Sequence, residues 1–232
     1  MTTDDTAPVP RPGRPTLTVL LLASTLGIMG GATIAPVIEL IRQSLQVSGT
    51  AAGLVLTSHS LAIAVISPLV GRATDRLGPR LPLAAGLALY GLGGGAGMVT
   101  DSLPALLVSR LVLGVGAAAV FTCSTVALLA LYRGPERDRV MGWRTTATTA
   151  GGFLYPLAAG VMGNHSWHAP FALYLIGLPL GAATLMALPR AVEAKGGEEA
   201  EPRGLPGGER CGCCAGIRGC WRCADYGWRR RD

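Results

Sequence analysis

Two groups of residues carry most of the chemistry this chain has to offer. The first is Gly-Arg-Ala-Thr-Asp-Arg-Leu-Gly-Pro-Arg at positions 71–80, where Asp75 stands among Arg72, Arg76 and Arg80. A carboxylate set among guanidiniums forms charge-assisted hydrogen bonds, either to a helix N-terminus or to an arginine on a neighbouring segment. Gly71 and Gly78 flank it and permit a tight reversal of the chain. The second is Arg110, alone in a long apolar run. A guanidinium is not deprotonated in a protein, so at membrane depth this charge must be hydrated, paired or turned away from lipid. There it would attract anions or tune a proton relay. Glu39 and Arg42, three residues apart, suit an ion pair on one face of a helix. No nucleophile–base pair and no phosphate-cradling loop is evident, so no enzymatic activity and no cofactor is expected.

These charges interrupt an apolar chain. Of its 232 residues 50% are hydrophobic and 15% charged, and the mean hydropathy is +0.42. Soluble domains carry about 25% charged residues. The net charge of +6 does not indicate nucleic acid, because the arginines gather in short loops and a terminal tail rather than on one helical face. About 20 apolar residues cross a hydrocarbon core of about 30 Å. Six runs qualify: 17–40, 51–70, 81–99, 103–132, 141–162 and 169–188. Thr145, Thr146, Thr148 and Thr149 dilute the fifth, but a threonine hydroxyl returns to the helix backbone and still allows a span. The fold class is therefore an all-α membrane protein with six transmembrane helices, and its first partner is the lipid bilayer.

The domain order follows. Residues 1–15 form a polar, Pro-rich disordered arm, 16–190 the six-helix domain, and 191–232 a tail rich in Cys, Arg and Gly. Arg11 and Arg14 precede the first span, Arg72, Arg76 and Arg80 follow the second, and Arg133, Arg137, Arg139 and Arg144 follow the fourth. The alternate loops hold only Arg42, Asp101, His165 and His168. Arginine marks the untranslocated side, so both termini are expected in the cytoplasm and the protein in the cell membrane. Within the third span, Gly91 with Gly95 and Gly93 with Gly97 are each four apart, a spacing that lets another backbone approach closely.

Three stretches bear a family resemblance. Positions 71–80 resemble the loop signature of the major facilitator superfamily, G-x-x-x-D-R/K-x-G-R/K-R/K, with Pro79 at a usually basic position. Leu107-Val108-Ser109-Arg110-Leu111-Val112-Leu113-Gly114-Val115-Gly116 resembles its fourth-helix motif L-x-x-R-x-x-x-G-x-G. Gly151-Gly152-Phe153-Leu154-Tyr155-Pro156-Leu157-Ala158-Ala159-Gly160 is similar to the exporter motif G-x-x-x-G-P-x-x-G-G, with Tyr155 and Ala159 in place of glycines. The resemblance covers about residues 17–189. It implies six helices as two inverted three-helix repeats, one half of a twelve-helix fold. It further implies proton-coupled export of a small organic solute by alternating access. Gly71, Asp75, Arg76, Gly78 and Arg80 would then gate, Arg110 and Gly114 would line the path, and Gly151, Pro156 and Gly160 would bend the fifth helix. A second six-helix half, or a second copy, would complete it. The alternative reading is a non-transporting, membrane-embedded partner or regulatory half.

The tail supplies no second half. Cys211, Cys213, Cys214, Cys220 and Cys223 crowd into it, and their pairs admit a zinc knuckle, a solvated basic tail or an out-of-frame translation after a truncation. The gap between the pairs is short for zinc, so no metal site is expected and a disordered or frame-shifted tail is preferred.

Overall fold

The computed structural model describes residues 13–188. Among them every regular element is helical: α1 Arg14–Ala32, α2 Ile38–Ser44, α3 Gly49–Leu77, α4 Arg80–Ala96, α5 Leu103–Leu131, α6 Pro135–Gly163 and α7 Gly177–Ala187. A short 3-10 turn, Ala35–Val37, joins α1 to α2, and a longer one, Ala169–Ile176, precedes α7. Read as spans, α1 with α2 is the first, α3 to α6 the second to fifth, and the 3-10 segment with α7 the sixth. The Cys-rich tail and residues 1–12 lie outside the described residues.

Local sequence explains each boundary. Pro15 opens α1, so the helix starts at Arg14, inside the stretch read as the arm. The first span is not one helix. After Gly30 and Gly31 comes Pro36, which donates no hydrogen bond, and the chain tightens to i→i−3 bonds from Ile34 to Gly31 and from Val37 to Ile34. Ser48 caps α3 through Ala51 N–H at 3.3 Å. That helix runs to Leu77, past the end expected at Val70, so Gly71 lies inside it and does not turn the chain. The reversal is Gly78 alone, at φ +74°, where a side chain would be strained. At the fifth span, Pro135 starts α6 with Glu136 and Asp138 in its first turn. Arg144 therefore belongs to the helix and not to the loop assigned to it from the sequence.

Packing reveals an internal symmetry. The first span packs on the fourth, fifth and sixth; the fourth packs on the first, second and third; the third and sixth pack on each other. Exchanging spans one with four, two with five and three with six leaves that pattern unchanged. Each exchanged pair is three crossings apart, so its members run in opposite directions. The bundle is thus two inverted three-helix repeats. The Thr16 hydroxyl donates to Ala187 carbonyl at 2.8 Å, which puts the start of α1 and the end of α7 at the same end.

Four helical stretches, Arg14–Ser44, Gly49–Leu77, Leu103–Leu131 and Ala169–Ala187, are long and apolar enough to cross a bilayer. At 17 residues α4 rises about 25 Å, the short limit for a crossing. α6 is long enough, at 29 residues, but carries arginines and threonines through its first half.

Candidate functional site

Arg110 is the centre of the bundle. Its relative exposure is 0%, and it is the largest fully buried side chain among the described residues. The 3-10 geometry of Ala169–Ile176 explains how it is held. Side chains three apart eclipse in such a helix, so Phe171 and Tyr174 stand on one face. The guanidinium carbon lies 4.6 Å from the Phe171 ring centre and 5.1 Å from that of Tyr174. Both ring faces attract a cation, and the attraction is stronger without water. Arg110 Nη1 donates to the Tyr174 hydroxyl at 3.2 Å, and that hydroxyl donates to Gly30 carbonyl at 3.1 Å. Nε and Nη2 of Arg110 are buried and have no partner among the described residues. No carboxylate among the described residues pairs with the guanidinium.

Glycines of α4 make room for the rings. A Cβ on Gly94 would stand 2.3 Å from Tyr174 Cβ, and one on Gly97 would overlap Phe171 Cδ1 at 1.9 Å. A Cβ on Gly93 would stand 2.7 Å from the Leu113 backbone nitrogen, and ones on Gly91 and Gly95 would meet Leu178 and Leu175. The close approach expected from their spacing is therefore present, on two sides of α4. Ser109 donates to Gly93 carbonyl at 2.6 Å and pins the same crossing. Tyr90 donates to Leu26 carbonyl at 2.6 Å and packs edge-on to Tyr174.

The other motif residues lie apart from this centre. Gly114 brings α5 against α3: its Cβ would meet His59 carbonyl at 2.5 Å. Asp75 and Arg76 are exposed in the last turn of α3, and Asp75 has no hydrogen bond or ion pair among the described residues. Its neighbour Thr74 is buried and lies 3.2 Å from the Cys123 sulfur of α5. Arg80 donates to Leu185 carbonyl near the end of α7, at the same end of the bundle. Along α6, Gly151 faces Thr25, Gly160 faces Pro36, and the helix continues through Pro156. Tyr155, standing where the motif has glycine, shares a 2.8 Å hydrogen bond with Thr25 of α1. Glu39 and Arg42 form the local pair expected of them, at 2.6 Å.

Three residues that sequence reasoning missed complete the interior. Tyr174 and Phe171 have no motif, and only their three-residue spacing in an apolar run hints at a shared face. His59 is 8% exposed, with its ring against Gly30 and Gly31 where α1 gives way to the 3-10 turn. A lone histidine in an apolar segment was the signal available for it. Arg144 donates to Ser24 at 3.2 Å and lies 5.1 Å from the Phe121 ring centre, joining α6 to α1 and α5.

A bundle of two inverted three-span repeats around a buried cation is a class of polytopic membrane protein built like secondary transporters. The Major Facilitator Superfamily model matches residues 20–221, and the chain belongs to that family. It is a multi-pass membrane protein. It is 25% identical over 189 residues to multidrug resistance protein 1 of Bacillus subtilis, covering 82% of this chain and 48% of that protein. It is 26% identical over 153 residues to the quinolone resistance protein NorA of Staphylococcus aureus, covering 66% of this chain and 39% of that one. Among solved structures it is similar to a proton:xylose symporter bound to 6-bromo-6-deoxy-D-glucose, with TM-score 0.63 and 18% identity over 75% of this chain and 45% of that one. It is also similar to a human organic anion transporter, with TM-score 0.61 and 19% identity over 78% and 48%. The fold is thus one half of the major facilitator fold, and the chain spans about half the length of the curated relatives it matches.

Proposed function

We propose that this chain is a six-helix half of an alternating-access transporter that exports a small organic solute in exchange for protons. The observation that carries the reading is Arg110: a permanent charge, wholly buried at membrane depth, held by Phe171 and Tyr174 of its own repeat and linked through Tyr174 to Gly30 of the other. Such a charge is expensive to keep and is characteristic of solute and proton pathways. Similarity to a multidrug and a quinolone resistance protein supports export of a lipophilic solute.

In this reading Asp75 and Arg76, exposed and lacking partners within the bundle, latch onto a second half, supplied by further chain or by a second copy. Gly78 turns the chain so that this latch sits beside Arg80, whose bond to α7 fixes the base of the gate. Arg110 and Gly114, both on α5, line the path. Pro156 weakens α6, and Gly160 lets it bend against the break in the first span. Both termini face the cytoplasm of the cell membrane.

The test is flux in vesicles containing the full chain, loaded with a quinolone or a lipophilic dye. An imposed pH gradient is expected to drive solute movement that a protonophore stops. Arg110→Ala is expected to lower the rate at least tenfold, and Asp75→Asn to lower it less. Absence of movement in folded, reconstituted protein overturns transport by this chain alone. It then favours the second reading, a non-transporting, membrane-embedded partner or regulatory half.

A further inference from the structure

We infer that His59 is the proton-binding group of this half, taking the proton at Nε2 beside the break in the first span. The inference rests on the transport reading above and names the group that would couple it to protons.

Elimination comes first. Among the described residues the carboxylates are Glu39, Asp75, Asp101, Glu136 and Asp138. Glu39 is exposed and bonded to Arg42, and the others sit at helix ends or in a loop. Tyrosine and cysteine do not ordinarily titrate at neutral pH, and arginine does not lose its proton. His165 and His168 lie between α6 and the 3-10 segment. His59 is the only buried side chain here of a type that exchanges a proton between about pH 5 and 8.

Its geometry is suited to the task. Nδ1 lies 2.9 Å from Leu56 carbonyl, which only accepts, so Nδ1 carries the hydrogen and Nε2 presents a lone pair. Nε2 is 3.4 Å from the hydroxyl of Ser60, an exposed residue, which gives a short route from the surface of α3. One N–H bond forms on loading and the same bond breaks on release, the donor and acceptor being water in the solute path that the transport reading opens at Ser60.

Loading has a mechanical consequence. A Cβ on Gly31 would stand 3.2 Å from Nε2, so the ring rests directly on the α1 backbone. The groups facing the ring from α1 are the neutral Gly30 and Gly31; from α5 the charged group acting on it is Arg110. Tyr174, from the 3-10 segment, is a neutral hydroxyl that links Arg110 to Gly30 carbonyl. A proton on His59 sets a second positive charge against Arg110, a repulsion that acts across the α3–α5 crossing and, through the contact of the ring with Gly31, on the break in the first span, where i→i−3 bonds already replace helix.

Two measurements test this on the full chain. The first is imidazole nitrogen NMR of the reconstituted protein, with His165→Gln and His168→Gln identifying the other two signals. The Nε2 signal of His59 is expected to shift between its neutral and protonated positions across about pH 5–8. A signal fixed in one state through that range overturns the proposal. The second is flux: His59→Asn is expected to abolish uphill movement driven by a pH gradient while solute exchange at equal pH persists. Uphill movement that survives His59→Asn also overturns it. If the unmodified protein moves no solute, the transport reading fails and the imidazole titration alone decides whether His59 binds the proton. The same titration decides if His59→Asn does not fold.

Discussion

α4 meets its neighbours backbone to backbone, whereas α6 and α3 meet theirs along one side and leave the rest of their length open. Along α4 and its cap, added Cβ atoms at Gly86, Gly93, Gly94 and Gly97 would all fall within 2.7 Å of another atom. Gly142 of α6 and Gly53 and Gly71 of α3 have nothing within 4 Å. Phe153, Leu157 and Val161 of α6 and Leu61 and Val65 of α3 are exposed. Spans three and six are thus fitted to a fixed neighbour, and spans two and five, the middle span of each repeat, are left with a free face. In a membrane, where lipid is as apolar as leucine, close packing supplies association that the hydrophobic effect does not. The tight seam is where the half is rigid. The open faces of α3 and α6 are apolar and are not covered by the rest of the described bundle.

The largest expected effect probes the seam directly. Gly116→Leu drives its Cβ into the Tyr90 backbone nitrogen at 2.5 Å and Gly86 carbonyl at 2.7 Å, neither of which can rotate aside. Overpacking of this kind costs about 3 kcal/mol or more, read as a fall in the unfolding midpoint of the protein in mild detergent. Gly142→Leu in α6 is the control and is expected to move the midpoint by less than about 0.5 kcal/mol. Equal effects at the two sites would end the comparison between tight and open helices.

Next comes the interior bond that both repeats share. Tyr174→Phe leaves Arg110 Nη1 and Gly30 carbonyl without their partner and is expected to cost about 1–3 kcal/mol. Thermal unfolding followed by helical circular dichroism would measure it, and no change would mean that the hydroxyl is dispensable.

A smaller effect is expected where α6 touches α1. Tyr155→Phe removes one half-buried hydrogen bond to Thr25 and is expected to cost about 0.5–1 kcal/mol. A loss as large as that at Tyr174 would show α6 to be held as firmly as α4. The smallest effect belongs to the exposed pair of α2: Arg42→Gln is expected to leave the unfolding midpoint unchanged within error, since an exposed ion pair adds little.

Much of this was legible in the sequence, for identifiable reasons. The six apolar runs follow from composition, and the burial of Arg110 follows from the impossibility of leaving a guanidinium in lipid. The α4 glycines declared their packing through spacing. What was illegible depended on tertiary contact. Gly71 looked like a turn residue beside Asp75, but helix propensity and the Thr74 contact with Cys123 carry α3 onward to Leu77. The first span looked continuous because Pro36 is a single residue in a long apolar run. Histidine is not a permanent charge, so reading the charges that interrupt apolar runs passed over His59.

The arginine that opens α4 bears on how the protein is made. Arg80 and its acceptor, Leu185 carbonyl, are 105 residues apart in the chain, and Thr16 is 171 residues from Ala187. At about 5–20 residues per second, the ribosome needs roughly 5–20 s between making the arginine and making its partner. During that interval the first five spans are assembled without their closing bonds. A chain stopped before Leu185 would lack both of these bonds, so the start of α1 and the start of α4 stay untied from α7 until its last turns are made.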